Sequence, residues 1–177
     1  DGGYVFASET CAFHIIGATY LRDVEPGEVV YVREGKLQSD FYTQETHRAM
    51  CMMEYVYFSR PDSDVVGRNV HNVRKRSGIE LYKETHVDAD IVVGVPDSSI
   101  SAANGYAEAA GIPNEMGLIK NRYMGRTFIA PTQELREQGV RMKLSAIPSI
   151  VRDKRIILID DSIVRGTTRH CEKPKCS

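Results

Sequence analysis

The passage that most restricts the fold is DIVVGVPDSSISAANGYAEAAG, residues 90–111. Ile91, Val92, Val93 and Val95 form a nearly continuous β-branched run, the pattern of a strand buried on both faces of a parallel sheet. Pro96 to Ser99 follow, offering a carboxylate and two hydroxyls as N-caps for an Ala-rich helix that Gly111 and then Pro113 stop. The alternation continues downstream. GLIK at 117–120, VRMKLSAI at 140–147 and RIILID at 155–160 read as strands, with TQELREQ at 132–138 as a short helix. Strand and helix alternating at this spacing set the class as α/β with parallel pairing.

The first 45 residues have a different texture. YVFAS at 4–8, GEVVYV at 27–32 and KLQSDFY at 36–42 read as short strands, the last two joined by a Glu34-Gly35 turn. Between them Glu9 to Gly17 reads as a short helix closed by its glycine. No acid–base cluster is evident in this part, which reads as β-rich packing at the edge of another domain. CMMEYVYF at 51–58 reads as a further strand, closed by a turn at Arg60 to Ser63. Asn69 to Thr85 carries Val70, Val73 and Leu81 among basic residues, an amphipathic helix despite Gly78.

Charge and cysteine usage exclude several classes. Twenty-three Lys and Arg against 24 Asp and Glu give a net charge of −1, so no global positive field points to nucleic acid. No apolar run approaches the roughly 18 residues that span a bilayer, and no basic-then-apolar leader opens the chain, so a cytoplasmic, membrane-free protein is expected. The 4 cysteines, Cys11, Cys51, Cys171 and Cys176, are too scattered for a disulfide scaffold, and Cys11 and Cys51 read as small buried hydrophobes. The chain opens on Asp1 and closes on an aperiodic polar tail, so a piece of a longer protein is expected, with 170–177 a divergent tail.

The chemistry concentrates in RIILIDDSIVRGTT, residues 155–168. A buried strand ending in Asp160 and Asp161 delivers two carboxylates to the carboxyl edge of a sheet, where open α/β folds bind ligands. Both can converge on a polyol or a metal. Ser162, Val164, Arg165, Gly166, Thr167 and Thr168 then supply backbone N–H groups and hydroxyls of the kind a monophosphate needs. This is neither a Walker A loop nor a dinucleotide fingerprint, since GxxxxGK[ST] and GxGxxG are both missing.

That segment resembles the phosphoribosyl pyrophosphate loop of type I phosphoribosyltransferases. EYVYFSRPDS at 54–63, GVPDSSISAANGYAEAAGIP at 94–113, GLIKNRYMGRTFI at 117–129 and LREQGVRMKLSAI at 135–147 extend the resemblance to the glutamine phosphoribosylpyrophosphate amidotransferases. GGYVFASETCAF and YLRDVEPGEVVYV are similar to the end of their N-terminal-nucleophile glutaminase domain. The resemblance covers residues 1 to about 169. It implies a glutaminase end at 1–48 and an incomplete, parallel-sheet phosphoribosyltransferase domain at 49–169.

The implied reaction passes ammonia from glutamine to phosphoribosyl pyrophosphate, giving 5-phosphoribosylamine, pyrophosphate and glutamate at the start of purine synthesis. By resemblance, Asp160 and Asp161 hold the ribose hydroxyls and, with Ser98, a Mg²⁺ ion, while 162–168 grips the 5-phosphate. Lys120 and then Arg122, in the KNRYMGR loop with Arg126, are the implied catalytic contacts to pyrophosphate. Cys51 matches one ligand of a 4Fe-4S cluster whose other three thiolates lie outside this chain, so a cluster is expected in the intact parent and none here. Purine nucleotides are the implied inhibitors and a homo-oligomer the implied assembly. The glutaminase nucleophile is missing and Pro174 interrupts the expected continuation, so weak or no activity is expected of these residues alone. A regulatory module that binds phosphoribosyl pyrophosphate without catalysis, and a salvage transferase, are the competing readings. The glutaminase-like flank speaks against both.

Overall fold

The computed structural model describes residues 2–121 and 144–163, which form two compact units, Asp1–His71 and Asn72–Ser177. In the first unit, α1 (Cys11–Ile16) buries Cys11 and ends at Gly17 with φ 66°, the left-handed C-terminal stop that its glycine allows. Strands β1 (Glu28–Arg33) and β2 (Lys36–Phe41) pair as an antiparallel hairpin with Tyr31 opposite Gln38. Glu34 and Gly35 turn it with φ 51° and 73°, the two positive values that a two-residue hairpin loop demands. Strands β3 (Asp64–Val65) and β4 (Arg68–Asn69) make a minimal second hairpin before α2 (Val70–Glu84), which starts in this unit and runs on along the chain into the second.

Two expected strands of this unit are not strands. Tyr4, Val5 and Phe6 are exposed and lie in no regular element, because a strand is stabilised by its ladder and cross-strand neighbours and nothing described here pairs with them. CMMEYVYF is helical at Met52 and Met53 and π-helical over Glu54–Phe58. Its only β-branched residue is Val56, while two Met and a Glu favour helix. Local hydrogen bonds complete the turn: Ser59 N–H donates to the Glu54 carbonyl (3.0 Å) and Ser59 Oγ to its carboxylate (3.0 Å). Buried Tyr55 donates its hydroxyl to Val65 O at 2.6 Å.

The second unit is mixed α/β. Its remaining elements are β5 (Ile91–Gly94), α3 (Ile100–Ala110), β6 (Leu118–Lys120), β7 (Leu144–Ala146), α4 (Pro148–Val151) and β8 (Ile156–Ile159). Strands β5 and β8 are parallel, Ile91 beside Ile156 through Gly94 beside Ile159. On the other side of β5, Val92 N–H donates to Pro113 O and Glu115 N–H to Val92 O, both at 2.9 Å, so β5 is flanked on both edges. The pairing of β6 with β7 is antiparallel, which the expectation of parallel pairing did not include.

Alternate residues of β5 feed two cores, as the period of two requires. Val92 packs with Ile157, Ile159, Ala103, Tyr106 and Ala107 on the α3 side. Ile91, Val93 and Val95 pack with Leu118, Leu144, Ile156 and Leu158 on the other. Helices α2 and α3 meet backbone to backbone. A Cβ at Gly78 would lie 1.9 Å from Ala102 O, and one at Gly105 would lie 1.9 Å from Lys75 O, so only glycine permits the crossing. Arg155 clasps the opening end of both main strands: its guanidinium donates to Asp90 (2.9 Å) and to Asp88, and its N–H donates to Asp90 at 2.8 Å. The guanidinium holds the Asp90 carboxyl below the usual range. The short helix expected at 132–138 lies outside the described residues.

Candidate active site

The register of β5 and β8 fixes the site. Because Gly94 and Ile159 are level, the turn after each strand leaves the sheet at the same edge, and Val95 N–H donates to Ile159 O (2.9 Å) to hold them together. Asp97, Ser98 and Ser99 come from one turn, Asp160, Asp161 and Ser162 from the other. Gly94 allows the close fit, since a Cβ there would be 2.9 Å from the Ala103 Cβ and 3.1 Å from Ile100 Cα.

Ser98, 63 residues away in sequence, donates its hydroxyl to Asp161 Oδ2, and Ser162 Oγ donates to Asp161 Oδ1 at 2.8 Å. Asp160 Oδ1 accepts the Asp161 N–H at 2.9 Å. The two carboxylates are thus differently employed: Asp161 has a hydroxyl donor on each oxygen, whereas among the described residues the hydrogen bonds around Asp160 engage Oδ1. Partial burial pushes the Asp160 carboxyl up, and the neighbouring Asp161 charge adds to the shift despite the opposing backbone hydrogen bond. A half-buried carboxylate beside a second one is an arrangement that a cation or a donor diol stabilises.

The expectation that the 97–99 turn caps α3 is corrected by the structure. Ser99 is the N-cap residue but makes no side-chain cap bond, and its buried Oγ has no partner among the described residues. Ser98 faces Asp161 instead. The Pro96–Asp97 peptide is cis. From the end of β6, Lys120 Nζ reaches Asp97 Oδ2 at 2.5 Å, which places a cation at the rim of the same turn, a pairing with no sequence signal beyond the charges themselves.

The oxygen donors suit a hard divalent ion, but among the described residues no three His, Cys, Asp or Glu side chains gather to cage one. Asp160, Asp161 and Ser98 offer the hard oxygens used by sites that hold Mg²⁺ through one or two carboxylates, waters and a phosphorylated ligand, rather than by an all-protein cage. Cys51 is an exposed free thiol in the first unit, not the buried hydrophobe expected, while Cys11 is buried. A cluster of four thiolates does not fit the described residues, of which these are the two cysteines. Arg122, Val164, Arg165, Gly166, Thr167, Thr168, Arg126, Cys171 and Cys176 lie outside the described residues. No described helix is long and apolar enough to cross a membrane.

No family model matches the chain. Curated relatives do. Amidophosphoribosyltransferase of Bacillus subtilis is 62% identical over 165 residues, 93% of this chain and 35% of that protein. The amidophosphoribosyltransferase of Staphylococcus aureus is 58% identical over 168 residues, 95% of this chain and 34% of its own. Among solved structures, the glutamine phosphoribosylpyrophosphate amidotransferase of B. subtilis complexed with ADP and GMP superimposes with a TM-score of 0.81 at 62% identity, covering 91% of this chain and 35% of that one. The chain thus spans about a third of the length of the relatives it matches.

Proposed function

We infer that the chain is amidophosphoribosyltransferase sequence, and that its second unit carries the phosphoribosyl pyrophosphate site of that enzyme. The observation that supports this most is the bridge from Ser98 to Asp161 across the ends of two parallel strands, beside Asp160, with Lys120 at the end of β6 paired to Asp97 of the Ser98 turn. The domain reading that goes with it is a glutaminase end at 1–48, a truncated type I phosphoribosyltransferase core at 49–169 and a divergent tail at 170–177.

In this reading the reaction is displacement of pyrophosphate from the ribose C1 of phosphoribosyl pyrophosphate by glutamine-derived ammonia. Little covalent work is required of the protein, which positions the donor and stabilises charge. Asp160, partly buried beside Asp161, accepts from the ribose diol; Asp161, fixed by Ser98 and Ser162, presents its carboxylate in one orientation. Segment 162–168 holds the 5-phosphate through Ser162, Val164, Arg165, Gly166, Thr167 and Thr168. Lys120 and Arg122 meet the pyrophosphate, for which Asp97 is the surrogate anion on Lys120. Mg²⁺, held by Asp160, Asp161 and Ser98, supplies neutralisation of the diphosphate charge when bound. Purine nucleotides, for which ADP and GMP on the B. subtilis protein are the precedent, act as inhibitors. The intact protein is a cytoplasmic homo-oligomer, with a 4Fe-4S cluster to which Cys51 contributes one ligand.

The test is ammonia-dependent formation of phosphoribosylamine from phosphoribosyl pyrophosphate by the full-length protein. Activity that requires Mg²⁺ and releases one pyrophosphate per amine is expected. Binding of phosphoribosyl pyrophosphate with no turnover under any nitrogen donor would favour a regulatory module.

A further inference from the structure

Lys120, the cation at the rim of the site, is paired with a carboxylate of its own chain. Its Nζ lies 2.5 Å from Asp97 Oδ2, a partner 23 residues away in sequence and in the same compact unit. Both backbones are anchored. Leu118 of β6 is buried with Val93 and Val95, a Cβ at Gly117 would lie 2.7 Å from Val93 Cγ2, and Lys120 itself stands opposite Leu144 in the β6–β7 ladder. The turn that carries Asp97 is held by Ser99 N–H, which donates to Val95 O at 3.2 Å, and by Ser98, which donates to Asp161. The fold therefore sets this pair, not the chance meeting of two long side chains.

Exposure makes the pair exchangeable. The Asp97 side chain is 71% exposed and that of Lys120 37%, so Asp97 recovers its hydration when Lys120 turns to another anion. An exposed pair of this kind holds only weakly. A diphosphate carries several charges and displaces a single carboxylate. It nevertheless meets a lysine that is partly occupied, and its apparent affinity is reduced according to the fraction of Lys120 left open to it.

We propose that Asp97 is an internal competitor for Lys120, a positioning residue that sets how tightly the site takes the diphosphate of its donor. The proposal rests on the site reading above, in which Lys120 meets pyrophosphate. Asp97 touches neither the sugar nor the reacting carbon, and its effect runs through Lys120. That separates it from a general repulsion between an acid and an anion, which would act on every anionic ligand and would survive loss of the lysine. Such repulsion is also screened over about 8 Å at 0.15 M salt.

The probe is inorganic pyrophosphate with Mg²⁺, titrated calorimetrically into the full-length protein, alongside half-saturation by phosphoribosyl pyrophosphate in ammonia-dependent synthesis. Asp97→Asn and Asp97→Ala should tighten pyrophosphate binding about two- to fivefold, the range that exposed ion pairs span, and lower the donor requirement by the same factor. Asp97→Glu keeps the charge and should match the unsubstituted protein. In a Lys120→Ala background Asp97→Asn should change nothing. Ribose 5-phosphate, which has no diphosphate, should bind equally with and without the Asp97 substitution. Pyrophosphate binding that is unchanged or weaker in Asp97→Asn overturns the proposal, and weaker binding would make Asp97 a group that supports the diphosphate or its metal. Tightening that persists without Lys120, or extends equally to ribose 5-phosphate, overturns it as well, since that is general repulsion. If Lys120→Ala weakens pyrophosphate binding while Asp97→Asn has no effect, the proposal falls and the site reading stands; if neither substitution has an effect, both fall.

Discussion

Replacing Gly78 by alanine sets helix propensity against packing, with opposite signs. In the interior of a 15-residue helix the change should help by about 1 kcal/mol, since glycine is the poorer helix former. The structure predicts the reverse. The added methyl would stand 1.9 Å from Ala102 O, 2.8 Å from Ala102 C and 2.9 Å from Tyr106 N, all backbone atoms of α3 that no rotamer change can remove. Restoring ordinary contact requires α2 and α3 to separate by more than about 1 Å, which breaks dispersion contacts along the crossing. Overpacking of this kind costs about 1–3 kcal/mol and sometimes more. The propensity gain offsets only part of it, so a net loss of about 1–2 kcal/mol is expected. Urea unfolding followed by far-UV circular dichroism should show a lower midpoint. Gly111→Ala, at φ 68° with nothing within 4 Å, is the control, because its cost is backbone strain of about 1 kcal/mol rather than collision. A Gly78→Ala midpoint equal to or above that of the unsubstituted chain would refute the close crossing.

Two further outcomes concern the site. Asp160→Asn keeps the acceptor for Asp161 N–H and removes a carboxylate whose proton affinity is raised in the folded state, so ionisation of Asp160 opposes folding. The variant should be more stable at neutral pH, and its advantage should shrink as pH falls through the raised pKa and vanish below the ordinary aspartate range; an advantage that persists there contradicts the assignment. Lys120→Ala in the full-length protein should raise the concentration of phosphoribosyl pyrophosphate needed for half-maximal synthesis, and an unaltered requirement would remove Lys120 from the pyrophosphate site.

What could be read from the sequence divides by the range of the forces involved. The strands at 91–94 and 156–159 and the helix at 100–110 were legible because β-branched runs, Ala content and a stopping glycine are local signals. The Glu34-Gly35 turn was legible for the same reason. The segment 51–58 was misread because aromatic residues favour strands only when a neighbouring strand receives them. Gly78 looked like a blemish in a helix, since its purpose lies 24 residues away at Ala102. Glu9 left no trace either: one carboxylate in a polar stretch gains meaning only when the turn at 60–63 folds onto it. At the site, the adjacent acids announced themselves, but the division between Asp161, doubly hydrogen-bonded, and Asp160, partly buried, depends on Ser98 arriving from another strand.

The central claim is that the carboxylates leaving β8 hold the sugar of an activated pentose phosphate. Asp160→Asn combined with Asp161→Asn in the full-length protein tests it most directly, with synthesis from ammonia and glutamine hydrolysis measured on the same preparation. Synthesis should be abolished while hydrolysis continues at its basal rate. Synthesis that survives unchanged would contradict the assignment.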